Sequence, residues 1–403
     1  MQTQNVPFTD KQEKLIVALL TLMNFAHILD FVIMMPLGPK LIHAFHIDAP
    51  RFGILVSAYA FAAAISGLLG AFVIDRFDRK HALIVLFSGF TIGTLLCAIA
   101  WNYWFMLFAR IVAGGFGGIL GGVVLSIIGD LFPPERRGTP TGVVMSAFSV
   151  ASVVGIPIGL KAADLFGWQS PFYMIAAICA VIIPFAGRIF PSVKGHHQHA
   201  SLHWFALMKA IFANGKHWII FSFLFMVVVG GFSVIPYLPI YLVENAGLAS
   251  EHLFLVYFIG GCFTFFTSRW IGRLSDRYGK VFVFRITASL AILPIYALTH
   301  LPRSTEVVIF TLTTIFMIVV SGRFVPALAL ITGNVEGRIR GSFMSVNSSV
   351  QQMSSGVATM LGGFLAGSAG EGQPIPHYGH AGYLAIGAIL ISLYLVRFLA
   401  KEQ

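Results

Sequence analysis

The chain has 403 residues, of which 57% are hydrophobic and 10% are charged. Because a soluble protein carries about 25% charged residues, this composition excludes a water-soluble domain and indicates a surface that faces a lipid bilayer. The formal net charge of +10 does not indicate a nucleic-acid partner, since the basic residues lie at the ends of apolar segments and do not cluster on one domain.

Twelve apolar segments are long enough to cross a bilayer as helices, since a transmembrane helix needs about 20 residues. The sequence therefore predicts an all-α membrane protein with 12 transmembrane helices, which we number as spans 1 to 12. Their approximate bounds in chain order are 15–42, 52–74, 81–101, 104–131, 142–164, 171–190, 217–243, 252–275, 281–300, 306–332, 342–367 and 381–400.

Basic residues are concentrated in every second gap between spans, which predicts that these gaps and both termini are cytoplasmic. The gaps on the other side contain little basic charge beyond Arg51 and Arg303. The first apolar segment continues past Gly38, so we expect a retained helix and no cleaved signal peptide. The basic residues on the predicted cytoplasmic side are Arg76, Arg79, Lys80, Arg136, Arg137, Lys194, Lys209, Lys216, Arg277, Lys280, Arg338, Arg340, Arg397 and Lys401.

The two halves of the chain repeat. Asp75 and Arg76 after span 2 have counterparts in Asp276 and Arg277 after span 8, about half the chain later. Duplicated six-helix halves around a site at the membrane midplane are typical of alternating-access transporters. The predicted domains are an N-terminal six-helix bundle at 1–190, a cytoplasmic linker at 191–216 and a C-terminal six-helix bundle at 217–403.

The predicted linker is rich in histidine. No Cys or carboxylate completes a metal site beside these histidines, so a solvated linker is favoured over a metal site. The segment 202–212 has a helical spacing of apolar residues and is predicted to lie along the membrane surface. The linker histidines are His196, His197, His199 and His203.

Asp30 lies in the middle of span 1 with apolar neighbours on both sides. A charged side chain at the bilayer centre costs about 2.5–3.5 kcal/mol, and intramembrane acids usually face a cavity or an ion pathway. His27 and Asn24 precede Asp30 by three and six positions, so the three residues share one face of a helix. We expect Asp30 to bind a proton. The alternative is a buried acid that an arginine neutralises and that serves only helix packing.

Two arginines stand well inside spans: Arg110 in span 4 and Arg323 in span 10. Arg110 is the expected partner of Asp30. Protonation of Asp30 would then free this arginine to attract an anion. Arg323 lies between Gly322 and Pro326, residues that loosen a helix, which indicates a ligand contact or a gate. The alternative is an arginine whose charged end extends to the membrane interface. The other residues predicted to line a substrate cavity are Asn24, His27, Tyr237, Tyr241, Asn347, Gln351 and Gln352.

Residues 71–80 resemble the loop signature of the major facilitator superfamily, Gly-x-x-x-Asp-Arg-x-Gly-Arg-Lys, with Ala71 and Asp78 in place of two glycines. A second copy at 272–280 keeps both glycines. The similarity covers the whole chain and implies the major facilitator fold. It also implies a latch that holds the halves in the outward-open state and that contains Asp75, Arg76, Arg79, Asp276 and Arg277.

Two further motifs resemble those of this superfamily. Residues 110–114 are similar to its Arg-x-x-Gln-Gly signature, with Ala113 in place of Gln. Gly155, Pro157 and Gly159 of span 5 resemble the glycine-proline motif of drug:proton antiporters and arabinose-efflux-type permeases. That resemblance implies export. Small residues at this spacing also let any two membrane helices approach closely, which is the alternative interpretation.

We therefore expect a proton-coupled transporter that exports small organic molecules by alternating access in the inner membrane of a bacterium. A proton symporter or facilitator for a sugar or an organic acid shares the fold and remains an alternative. A non-transporting membrane sensor or enzyme is a third. No nucleotide loop or nucleophile elbow occurs in the sequence, so no enzymatic activity, cofactor or metal is expected. The expected partners are protons, lipid and a small-molecule substrate, with an anion among the candidates, and the expected state is a monomer.

Overall fold

The computed structural model describes residues 10–74, 78–133, 136–190, 208–336, 339–368 and 373–400. Nearly all of them lie in α-helices, and these form the 12 predicted spans in two six-helix bundles. The N-terminal bundle comprises Asp10–Ile33 with Gly38–Phe45 (span 1), Ala49–Ile74 (span 2), Arg79–Ala98 (span 3), Tyr103–Leu131 (span 4), Gly138–Phe166 (span 5) and Ser170–Ile189 (span 6). The C-terminal bundle comprises Gly215–Phe232 with Leu238–Glu244 (span 7), Ser250–Tyr278 (span 8), Lys280–Thr299 (span 9), Glu306–Gly333 (span 10), Arg340–Ala366 (span 11) and Tyr378–Leu399 (span 12).

Among the described helices, 11 are long and apolar enough to cross a membrane. Span 11 is 27 residues long but carries many serine and glutamine side chains, so its composition is less apolar. Its most extensive contact is with span 2 of the other bundle. The polar residues of span 11 therefore belong to the interface between the bundles, where no lipid has to solvate them.

The spans alternate in direction, so the molecule has two sides. We call the terminal side the one on which span 1 begins at Asp10 and span 12 ends at Leu399, and the distal side the opposite one. The predicted linker histidines, with Asp75 and Arg76, lie outside the described residues. Of the predicted surface helix at 202–212, the described part begins at residue 208 and is helical through residue 213.

The two copies of the loop signature start the next span in different ways. Asp78 caps span 3, because its carboxylate accepts the backbone N–H groups of Lys80 at 2.8 Å and His81 at 3.4 Å. Such a cap contributes about 1 kcal/mol, which gives a physical reason for an aspartate where the signature has glycine. In the second copy Gly279 joins spans 8 and 9 with a φ of 91°, a conformation that favours glycine.

Spans 1 and 7 are both interrupted toward the distal side, at equivalent positions of the repeat. Regular helix stops at Ile33 and at Phe232, and the short outer helices Gly38–Phe45 and Leu238–Glu244 follow. These outer helices meet across the bundle interface: the Nε2 atom of His43 is 3.2 Å from the Oε1 atom of Glu244.

Other contacts also join the two bundles on the distal side. Tyr237 of span 7 packs over Gly53 of span 2 so closely that a Cβ atom there would lie 2.0 Å from the tyrosine hydroxyl. The hydroxyl of Ser368 donates a hydrogen bond to Asp48. Toward the terminal side, spans 2, 4 and 11 instead surround a cavity of about 400 Å³. The bundles are thus in contact on the distal side and enclose a cavity toward the terminal side.

Candidate functional site

Asp30 and Arg110 form an ion pair between spans 1 and 4. The Nη1 atom of Arg110 is 3.0 Å from Asp30 Oδ2, and both side chains are 0% exposed. The same Nη1 group also donates to the backbone carbonyl of Asp30 at 3.4 Å, and the Thr94 hydroxyl donates to Asp30 Oδ1 at 3.1 Å. Asp30 is therefore held by spans 3 and 4 as well as by its own helix.

Tyr59 of span 2 completes the surroundings of the arginine. The guanidinium carbon of Arg110 lies 4.4 Å from the centre of the Tyr59 ring, a cation–π contact that is worth about 2 kcal/mol in a desolvated site. Span 2 comes this close because Gly114 lacks a side chain: a Cβ atom there would lie 2.4 Å from the Tyr59 carbonyl oxygen. Within the described residues, Arg110 Nε and Nη2 have no hydrogen-bond partner, so the pair leaves part of the guanidinium unsatisfied.

His27 lies between Asp30 and the cavity. Its ring packs edge-on against Phe90 at a centroid distance of 5.9 Å and is 6.5 Å from the Tyr59 ring. Its two ring nitrogens and the Tyr59 hydroxyl are buried and have no hydrogen-bond partner among the described residues. The predicted face of span 1 thus brings His27 and Asp30 together, although His27 does not line the cavity.

Asn24, the third residue on that face, has a structural contact. Its side-chain amide donates to the carbonyl of Val144 in span 5 at 3.0 Å, and the residue is 6% exposed. This bond uses one of the two N–H donors of the amide.

The glycine-proline motif of span 5 packs against the part of span 1 that carries Asp30. A Cβ atom on Gly155 would lie 2.9 Å from Leu29, and one on Gly159 would lie 2.9 Å from Ile33. A π-helical segment, Ala151–Gly155, precedes Pro157 and meets Gly261 of span 8 in the other bundle. Span 5 therefore links the neighbourhood of Asp30 to the bundle interface.

Arg323 lies inside the C-terminal bundle, where span 10 breaks between Gly322 and Phe324. It is 0% exposed, which rules out an extension to the membrane interface. Its Nη2 atom donates to the carbonyl of Val227 at 3.1 Å, while Nε and Nη1 have no partner among the described residues. Gly230 and Gly231 of span 7 make room for it, since Cβ atoms on them would lie 2.8 and 3.1 Å from its guanidinium nitrogens.

The two predicted tyrosines also have partners. The Tyr237 hydroxyl donates to the carbonyl of Thr359 at 2.6 Å, and the Tyr241 hydroxyl donates to the carbonyl of Leu301 at 3.0 Å. The Tyr241 ring packs on Tyr378 at 4.5 Å near the distal side. These contacts stabilise spans 7, 9, 11 and 12 against each other.

Span 11 supplies one predicted residue, Gln352, to the cavity on the terminal side. Asn347 on the same span is 2% exposed, with a side-chain oxygen that has no partner in the described part of the chain, and Gln351 is exposed. Neither of them lines the cavity, and neither does Arg323. The lining residues are Ala63, Gly67, Leu68, Arg79, Gly118, Ile119, Gly122, Val123, Ser126, Met208, Ser342, Ser345, Val346, Ser348, Ser349 and Gln352.

The described part of the predicted latch contains one ion pair. Arg79 Nε is 3.2 Å from Asp130 Oδ2, which joins spans 3 and 4 at the terminal side. Asp276 and Arg277 are exposed at the end of span 8, where Arg277 lies 5.4 Å from the ring of Tyr278.

Thr94 and Tyr59 were not predicted as site residues. Each is a single polar group in an apolar span, and neither has a charge that would draw attention to it in the sequence. Each contacts a charge on another span, so its role becomes recognisable only when the packing of the spans is known.

A two-bundle membrane fold with a buried ion pair and a cavity between the bundles defines a class of protein, the membrane transporters that work by alternating access. The chain belongs to the Major Facilitator Superfamily, whose sequence profile matches residues 20–322. It is therefore a multi-pass membrane transporter and not an enzyme.

Two curated relatives and one solved structure show the range of its similarity. A "Probable sugar efflux transporter" of Helicobacter pylori (strain P12) is 22% identical over 240 residues, a match that spans 60% of each protein. The "Uncharacterized MFS-type transporter YceJ" of Bacillus subtilis (strain 168) is 23% identical and covers 92% of this chain and 93% of its own. A bacterial homologue of the human lysosomal transporter Spinster, solved in an inward-facing, unoccupied conformation, superimposes with a TM-score of 0.76. It is 16% identical, and the match covers 98% of this chain and 96% of that one.

Proposed function

We propose that this transporter is a proton-coupled exporter of small organic molecules and that Asp30 binds the coupled proton. The observation that carries the proposal is the fully buried ion pair of Asp30 and Arg110. Removing one partner of a buried pair leaves an uncompensated charge, which costs about 3–5 kcal/mol. Protonation of Asp30 has that effect on Arg110 without a mutation, so a proton favours conformations in which the arginine is hydrated.

The distal contacts and the terminal-side cavity correspond to one state of an alternating-access cycle. We assign the terminal side to the cytoplasm of a bacterial cell, because Arg79, Arg136 and Arg277 lie on that side. On this assignment the described state has its cavity on the cytoplasmic side while Asp30 is ionised and paired. An exporter needs this order, since it loads substrate from the cytoplasm after it has released its proton there.

The direction of transport is supported by two observations. The glycine-proline motif of span 5 packs against the turn of span 1 that carries Asp30, so a motif typical of exporters is in contact with the proton site. The Helicobacter pylori relative is named as an efflux protein. Uptake by symport uses the same fold, and the polarity of a pH gradient distinguishes the two functions.

The cavity favours an uncharged substrate that forms hydrogen bonds. Among its described lining residues the polar groups are serine hydroxyls, one glutamine amide and Arg79, which is paired with Asp130. Its volume of about 400 Å³ lies within the range of small-molecule sites, about 300–1,000 Å³. A sugar fits these properties. An anionic substrate would need Arg323, which lies outside the cavity.

The test is a flux assay in proteoliposomes with a panel of labelled mono- and disaccharides and an imposed pH gradient. We expect an acidic lumen to drive accumulation of a substrate, because outward proton flow drives inward movement of the substrate in an antiporter. Accumulation only with an acidic exterior would identify a symporter, gradient-independent flux would identify a facilitator, and no flux of any probe would contradict the sugar assignment.

A matched pair of variants shows whether Asp30 couples the flux. Asp30→Asn is expected to abolish the response to the gradient. Asp164→Asn is the control, because Asp164 is also an acid within a span but pairs with Lys40 at 2.9 Å and is partly exposed. Gradient-driven flux that survives in Asp30→Asn would contradict the proton site.

A further inference from the structure

His27 and Asp30 face the same neighbouring helices. Asp30 contacts Thr94 of span 3 and Arg110 of span 4. His27, one turn earlier on span 1, packs against Phe90, which lies one turn before Thr94 on span 3. Residues three apart on a helix have Cβ atoms about 5–6 Å apart, so the imidazole and the carboxylate are neighbours within one buried column.

Glycine in span 4 makes room for the imidazole. A Cβ atom on Gly117 would lie 3.3 Å from His27 Nε2 and 2.4 Å from the Tyr59 hydroxyl oxygen, so both groups converge on this one backbone position. The other titratable or charged groups of the described chain around the column are Asp30 on span 1, Cys97 on span 3, Arg110 on span 4 and Cys179 on span 6. Asp30 is the only carboxylic acid among them.

The polar atoms of His27 are unused by the protein. Neither ring nitrogen has a hydrogen-bond partner among the described residues, although both are buried, and the Tyr59 hydroxyl has none either. More than about 90% of buried polar groups in proteins are hydrogen-bonded, so three such atoms around one glycine are unusual. His27 as a whole residue is partly exposed. An imidazole in this position is free to accept a proton at one nitrogen and release one from the other.

The column leads from the ion pair to the cavity. Ala63, one turn after Tyr59 on span 2, lines the cavity, and so does Gly118, which follows Gly117 on span 4. The order from the distal to the terminal side is therefore the ion pair, then His27 with Tyr59, then the cavity.

We infer that His27 carries the proton between Asp30 and the terminal-side cavity, an inference that rests on the proposed role of Asp30. In the releasing step the carboxyl O–H bond of Asp30 breaks and the proton binds the free ring nitrogen of His27. The imidazolium then gives the proton on its other nitrogen to water that reaches the ring from the cavity. Asp30 ends as a carboxylate paired with Arg110, and His27 ends neutral.

The measurement is the rate at which Asp30 loses its proton after a rapid rise in pH, followed by time-resolved infrared spectroscopy on the purified full chain. The C=O band of the protonated carboxyl is assigned by its absence in Asp30→Asn. In His27→Phe, which keeps an aromatic ring against Phe90 and Tyr59, we expect the band to disappear about 100-fold more slowly, with its amplitude unchanged. In His27→Ala, added imidazole should restore the rate.

A role for His27 in packing alone predicts other results. Wild-type kinetics in His27→Phe would overturn the relay, and so would a slow His27→Ala that imidazole does not accelerate. Phe90→Leu disturbs the same ring contact without removing a proton-binding group, so it should keep the wild-type rate. His27→Gln replaces His27→Phe if melting shows that the latter is unfolded. A wild-type protein with no Asp30 band at any pH would instead overturn the proposed function itself.

Discussion

Each bundle buries an arginine on its fourth helix, but the two arginines have different surroundings. Arg110 in span 4 has a carboxylate at 3.0 Å, whereas Arg323 in span 10 has one described hydrogen bond, to the carbonyl of Val227 at 3.1 Å. Where span 1 offers Asp30, span 7 offers Gly230 and Gly231. The N-terminal pair contains a carboxylate, which a proton can neutralise, whereas Arg323 has no acidic partner among the described residues. We therefore expect the two arginine sites to differ in their sensitivity to pH.

The largest expected effect comes from removing the proton-binding group of the N-terminal bundle. Asp30→Asn keeps the size of the side chain but offers one acceptor oxygen where the carboxylate offers two, to Thr94 and to Arg110, so the protein should fold and reach the membrane with reduced stability. Transport driven by a pH gradient should be lost, while exchange of substrate at equal concentrations on both sides should continue. Flux measurements in proteoliposomes test both statements. Equal loss of exchange and of gradient-driven flux would mean that Asp30 serves folding or substrate binding.

The stability of the two arginine sites can be compared directly. Arg110→Met leaves Asp30 buried without a partner and should destabilise the protein by about 3–5 kcal/mol. Arg323→Met removes an unpaired buried charge and one hydrogen bond, a net change of about 1 kcal/mol or less. Thermal unfolding in detergent gives the order of the two melting temperatures.

The double variant Asp30→Asn with Arg110→Met serves as the control for this pair. It should recover part of the stability that Arg110→Met loses, because no unpaired charge is then left buried at this pair. Equal melting temperatures for Arg110→Met and Arg323→Met would remove the distinction between the paired and the unpaired arginine.

A smaller effect is expected on the choice of ligand. Because Arg323 is buried outside the cavity, Arg323→Ala should leave the binding of glucose and of glucuronate unchanged within about twofold. Thermal-shift titrations with the two sugars provide the measurement. A loss of about tenfold for glucuronate alone, which Arg323→Lys fails to restore because lysine lacks the planar fork of two donors, would instead place Arg323 in contact with a carboxylate.

The smallest effect concerns the two loop copies. Asp78→Ala should lower the free energy of unfolding by about 1 kcal/mol, because span 3 loses its N-terminal cap. In Gly279→Ala, a residue with a Cβ atom is forced into a positive φ, a strain that costs about 1–3 kcal/mol of the free energy of unfolding. We expect the lower end of that range, because the exposed junction can relax. Melting temperatures are compared with Gly138→Ala, a site where a Cβ atom meets nothing within 4 Å. No change in Asp78→Ala would show that the cap is not needed to start span 3.

The sequence alone predicted the 12 spans and selected Asp30 as a candidate proton site, because hydropathy and a lone intramembrane acid are properties of the local sequence. The expected pairing with Arg110 agrees with the geometry. Which side of each helix faces which neighbour is a different matter. Helix rotation determines that Asn24 contacts span 5 and that Arg323 lies outside the cavity. The sequence of a uniformly apolar helix does not indicate how the helix is rotated about its axis.

Apart from Gln352, the residues that line the cavity were also not predictable from the sequence. Its polar lining comes mainly from serines of span 11, which are too small and too common to distinguish a binding site from helix packing. Several of the larger polar residues that were predicted to line it, such as Tyr237 and Tyr241, hydrogen-bond to backbone carbonyls instead. In a membrane interior a large hydroxyl needs an acceptor, and the nearest backbone carbonyl supplies one.

The matching interruptions of spans 1 and 7 leave one short outer helix in each bundle that can rotate about the turn before it. The outer helix Gly38–Phe45 has 8 residues and is therefore about 12 Å long. A rotation of about 15° at the turn that precedes it moves its tip by about 3 Å, given a rise of about 1.5 Å per residue. That displacement is comparable to the 3.2 Å between His43 and Glu244. A small angular change at two short turns is thus sufficient to separate His43 from Glu244, while the inner helices that carry Asp30 and contact Arg323 keep their positions.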